Sequence, residues 1–170
     1  NETGTPAQRS VKLSELPALV AYHGEAVWLE HRDAPTQRVS HGTAGLSARA
    51  KAPLLVHAPS TARRLRVERF FAFDLLELYA FVRPASFALP TPKGLAEVLG
   101  LVVPPHHDPV AEAKLLHECA RLLLTELEAE GVVHRDLKPN NILVDAEGQC
   151  EGIQRQRSQQ ATDPVALPKC

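Results

Sequence analysis

One short run carries residue types and spacing suited to group transfer: His134-Arg135-Asp136-Leu137-Lys138-Pro139-Asn140-Asn141. A carboxylate can accept a hydroxyl proton and orient the oxygen that attacks. A lysine two residues later can neutralise phosphate charge, and an asparagine five residues after the carboxylate can offer its amide oxygen to Mg2+. A second candidate is cationic. Arg63, Arg64, Arg66 and Arg69 crowd one stretch and read either as a solvated face or as phosphate contacts. Cys119, Cys150 and Cys170 have no ligand-like spacing, so neither a zinc site nor a disulfide framework is expected. Scattered cysteines of odd number suit a reducing compartment, and a cytoplasmic protein is expected. A formal charge of −1 argues against a surface that coats nucleic acid, although local basic clusters remain open. The chain has no apolar run of about 18 residues, so no membrane partner is expected.

The run 131–145, GVVHRDLKPNNILVD, resembles the catalytic loop of eukaryotic-type protein kinases, and its Lys-Pro pair resembles the serine/threonine class. The resemblance implies Asp136 as catalytic base, Lys138 as phosphate contact, Asn141 as metal ligand, and His134 and Arg135 as structural loop residues. ATP and Mg2+ would be the cofactors, and a nucleotide or a protein substrate the partner. The remaining kinase parts are missing. The nearest Gly-rich candidate, Gly42-Thr43-Ala44-Gly45, lacks the first glycine of the pattern, and Lys51 follows it too soon. Glu151-Gly152-Ile153-Gln154 stands about where Asp-Phe-Gly would be, so one Mg2+ would lose its main anchor. The expectation is a kinase-like fragment without activity, its reading frame changed after about Cys150, or a pseudokinase-like binder that uses the loop only as structure.

Residues 16–127 resemble something else: the degenerate exonuclease-like domain ahead of the motor in certain bacterial ATP-dependent DNA helicases. The stretch carrying this is 57–101, HAPSTARRLRVERFFAFDLLELYAFVRPASFALPTPKGLAEVLGL. Proofreading-type exonucleases share its order: a strand ending in His-Asn, a helix with Phe-Asp, an Asp-Thr-Leu-Glu helix start, a short Leu-rich helix closed by Gly-Leu, and a last helix opened by His and Asp. Carried over, the resemblance leaves Asp74, His107 and Glu112 as nuclease-like remnants. The Asp-x-Glu pair expected on the first strand is absent from 16–30, and Ala58 and Ala62 fall where an amide and an acid would stand. What it implies is a scaffold or a single-stranded DNA-binding module of a helicase, without nuclease chemistry.

The elements that must position these groups follow from patterning. Residues 1–12 read as a loose leader. Two apolar runs around His23-Gly24 predict a hairpin over 16–30, and the Pro-bounded run 53–57 predicts a buried strand. Helices are expected from Ser60 to 66, over 73–82 and over 93–100 with Gly100 closing the last. The longest, 109–129, opens at Asp108-Pro109 and carries a stripe through Val110, Leu115, Leu116, Cys119, Leu122, Leu123 and Leu127. The sum is an α/β or α+β domain over 13–129, a small sheet covered by helices. A kinase-like hairpin over 130–150 and a Gln-rich disordered tail over 151–170 would follow it.

Overall fold

The computed structural model describes residues 12–130. A 3-10 turn, Leu13–Glu15, leads into strands β1 (Ala18–Ala21) and β2 (Ala26–Leu29), which pair antiparallel with Ala21 opposite Ala26. The connection between them turns at Gly24, whose φ of +88° is a backbone that a β-carbon resists. Strand β3 (Gln37–Val39) adds to β2, and helix α1 (His41–Ala50) follows. Strand β4 (Leu54–Leu55) then joins the other side of β1 in parallel. Helix α2 (Ala58–Leu65) returns the chain to β5 (Phe73–Asp74), parallel to β4. Helices α3 (Leu75–Val82), α4 (Pro92–Val98) and α5 (Pro109–Ala129) complete the described chain. The strand order β3-β2-β1-β4-β5 puts β1 at the centre of a mixed sheet.

Both central strands are buried at every residue. Their sequences, Ala-Leu-Val-Ala and Ala-Val-Trp-Leu, run continuously apolar rather than alternating, as strands covered on both faces must. Helix α5 packs on β1, β2 and β4 and also holds α3 and α4. Helices α1 and α2 pack on each other and against β1, covering the opposite face. The core is built mainly from leucine, valine and alanine. Leu19, Leu29, Leu54, Leu55, Leu78 and Leu116 are among its fully buried side chains, each contributing about 2 kcal/mol by leaving water.

Helix α5 begins where the sequence marks it. Asp108 accepts from the amides of Val110 and Ala111 at 3.1 and 3.2 Å, and Pro109 occupies the first turn, where a missing N–H costs nothing. Its buried face runs through Glu112, Leu116, Cys119, Leu123 and Leu127. Among the described residues, no helix is long and apolar enough to cross a membrane.

Three expectations need correction or placement. Gly42-Thr43-Ala44-Gly45, the Gly-rich candidate, is the start of α1, capped by Ser40. A β-carbon at Gly45 would meet Val67 Cγ1 at 2.7 Å, so its glycine lets the segment after α2 approach. Helix α2 starts at Ala58 rather than Ser60, because its first amides are held by a distant carboxylate described below. Ser60 Oγ donates instead to His57 O at 3.1 Å. Lastly, the leader over 1–12, the kinase-like segment over 130–150 and the tail over 151–170 lie, apart from Lys12 and Glu130, outside the described residues.

Candidate functional site

Strand β1 ends at Ala21, and beyond its carbonyl end the chain bends away through His23 and Gly24, leaving an open cleft of about 850 Å³. Helix α2 and its cap supply Arg63, Arg64 and Arg66, the start of α4 supplies Lys93, and α5 and the segment before it supply Glu112 and His107. The amphipathic pattern of α2 explains the arginines. Ala58, Thr61, Ala62 and Leu65 face inward at helical spacing, which turns Arg63 and Arg64 outward. Arg64 is then fixed, because its Nη1–H donates to Ala21 O at 2.8 Å. A guanidinium is thereby held at the carbonyl end of the central strand. His41 braces the same turn, its Nε2–H shared between Tyr22 O at 2.8 Å and Glu25 O at 2.9 Å.

One carboxylate shares this space. Glu112 is 3% exposed, and burial pushes its carboxyl up from the usual range, while His107 and Lys93 pull it back. His107 Nδ1 lies 3.1 Å from Glu112 Oε2, within ion-pair range but without hydrogen-bond alignment, so Oε2 has no hydrogen-bond partner among the described residues. The His107 ring also meets the edge of Tyr22, with centroids 6.2 Å apart.

The expected remnants therefore separate. His107 and Glu112 come together in the cleft, whereas Asp74 sits elsewhere. It is fully buried, its Oδ1 accepting from the amides of His57 and Leu76 at 2.9 Å each, and its Oδ2 from Ala58 N at 2.5 Å. Asp74 thus caps both α2 and α3. Burial pushes its carboxyl up, and the three amides pull it down. Ala58 and Ala62 are buried core residues. No group of three or more His, Cys, Asp or Glu able to hold a metal ion occurs among the described residues. Asp136, Lys138, Asn141, His134 and Arg135 lie outside them. Four formal cations, Arg63, Arg64, Arg66 and Lys93, thus face one carboxylate in the cleft, a balance that favours anions.

Sequence reasoning named Arg63, Arg64 and Arg66 only as a cluster, and it missed Lys93 and His41. Pro92 at the start of α4 was the available signal for Lys93, since it sets the first turn from which that lysine projects. His117, also unremarked, is 2% exposed on α5. Its Nε2–H donates to Leu16 O at 2.8 Å, and Nδ1 has no partner among the described residues. Burial pushes its pKa down, while the bond to Leu16 O pulls it back up.

No family model, no curated protein and no solved structure matches this chain.

Proposed function

We propose that residues 12–130 are a catalytically silent exonuclease-like module that binds single-stranded nucleic acid in the cationic cleft. The element order supports the resemblance: a strand ending before His57, Asp74 capping α3 at the end of β5, a short helix followed by Gly100, and a last helix opened by Asp108. The observation that carries the binding function is the excess of cations over carboxylate at the end of β1, among described residues that offer no metal-holding group. Phosphodiesters would be the groups recognised, and binding of this kind weakens as salt rises because counterions are released. The test is fluorescence anisotropy with labelled oligo(dT) across a salt series, beside a degradation assay in Mg2+ and Mn2+. Salt-sensitive binding without degradation is the expected result. Metal-dependent degradation would refute the silence, and no binding at any salt would refute the function.

The kinase-like run 131–145 supports a second reading on its sequence alone, that of an inactive serine/threonine kinase fragment. Titration with Mg-ATP tests it. Saturable binding that is lost in Asn141→Ala would favour this reading, with ATP and Mg2+ as ligands.

A further inference from the structure

We infer that the Arg64 guanidinium takes the place of a divalent cation, so that the cleft holds a phosphate directly and without a metal ion. This rests on the nucleic-acid reading above for the identity of the ligand, but not for the chemistry of the site. Two-metal phosphodiester sites neutralise phosphate oxygens with divalent ions that are themselves held by carboxylates. Here the cleft carries a single carboxylate, and the end of the central strand is occupied by a guanidinium anchored to Ala21 O at 2.8 Å.

That anchor matters energetically. A long surface arginine ordinarily gives up rotamer freedom when it binds an anion, whereas Arg64 is already held in place by the strand. One N–H is used on the carbonyl, and among the described residues the rest of the planar fork is available for an oxyanion, whose geometry it matches. Among the described residues no carboxylate forms an ion pair with Arg63, Arg64 or Arg66. Among the described residues, a phosphate would therefore face no ion-paired competitor for these three side chains. Lys93, across the cleft on α4, adds a further cation. The ligand class is a phosphodiester or polyphosphate chain, bound by charge and by the guanidinium fork.

The test uses the full chain and two probes, labelled oligo(dT) and inorganic tripolyphosphate, each titrated in EDTA and in Mg2+. Arg64→Gln is compared with wild type, and Arg64→Lys serves as a charge-conserving control. Circular dichroism and urea midpoints confirm that both variants fold. The expected result is equal wild-type affinity for oligo(dT) in EDTA and Mg2+. Arg64→Gln should bind about tenfold more weakly, and its salt slope should fall by about 0.7, one phosphate contact on a single strand. Arg64→Lys should keep the slope. Tripolyphosphate bound in EDTA and lost in Arg64→Gln, with no oligo(dT) binding, would keep this inference and sink the nucleic-acid reading. Binding of oligo(dT) only in Mg2+, or Arg64→Gln indistinguishable from wild type, would overturn the inference and leave nucleic-acid binding standing. Failure of wild type to bind either probe would overturn both.

Discussion

Asp74 and Glu112 are both buried carboxylates near helix starts, yet the regions around them have opposite chemistry. At the junction of β4, α2, β5 and α3, Asp74 is enclosed and meets three backbone amides, so its oxygens complete two helix caps. At the cleft, Glu112 keeps an oxygen without a hydrogen bond among the described residues and shares the cleft lining with lysine and arginine side chains. Burial is common to the two. The partners differ, and they separate a carboxylate that builds the fold from one that can act on a ligand.

The largest expected effect tests the junction. Asp74→Ala would leave three buried amides without their acceptor and should cost about 3–5 kcal/mol in urea unfolding. Asp74→Asn, which keeps one acceptor oxygen, should fall between it and wild type. If Asp74→Ala lost less than about 1 kcal/mol, the contrast between the two carboxylates would collapse.

A smaller effect tests the delivery of Lys93. A β-carbon at Gly94 would sit 2.5 Å from Leu89 Cβ and 3.1 Å from Leu89 O, so the start of α4 cannot absorb it without moving. Gly94→Ala should cost about 1–3 kcal/mol in thermal or urea unfolding and weaken oligo(dT) binding in parallel. Unchanged stability would show that α4 shifts freely and does not fix the cleft wall.

His117 extends the comparison to a buried base. Its pKa is depressed in the folded state, so the unfolded chain binds more protons as pH falls below 6.5. The stability contributed by the neutral ring is present above that pH and is lost as pH falls through the folded value. Arg32 on the neighbouring loop deepens the depression, while Asp33 and Glu118 oppose it. Urea midpoints should therefore decline below pH 6.5 more steeply for wild type than for His117→Gln. Parallel profiles would remove the buried ring as the cause.

The smallest effect belongs to Glu112→Gln. Removing the one carboxylate from the cleft should tighten oligo(dT) binding several-fold with little change in stability. Because burial raises the Glu112 pKa, wild-type binding should also tighten as pH falls and that carboxylate gains its proton. Glu112→Gln should show less of this pH dependence. Weaker binding by the variant would mean that the carboxylate helps to hold the ligand.

Much of the frame could be read from residue patterns. Helix α5 matched its expected bounds because Asp108-Pro109 and a long apolar stripe are both local signals. Gly100 was correctly marked by its type, and its φ is +77°. Helix α1 was missed because its buried face is only Ala44, Gly45 and Ala48, too small to register as a stripe. Strand β3 was missed because it is an exposed edge, Gln-Arg-Val. At the site, His107 and Glu112 were singled out only by their spacing, and the structure places them 3.1 Å apart in the cleft. The tie between Arg64 and Ala21 could not be foreseen, since it joins residues 43 apart through the packing of α2 on the sheet. The early start of α2 was hidden for the same reason, as its capping carboxylate lies 16 residues downstream of Ala58.

The buried bond between His117 and Leu16 spans 101 residues. A ribosome adding about 5–20 residues per second therefore needs roughly 5–20 s between making the strand side of that contact and making its partner on α5. Throughout that interval the hairpin of β1 and β2 has one apolar face with nothing to cover it. The nascent chain's greatest need for a chaperone should fall in that window, and it should end once α5 has cleared the exit tunnel.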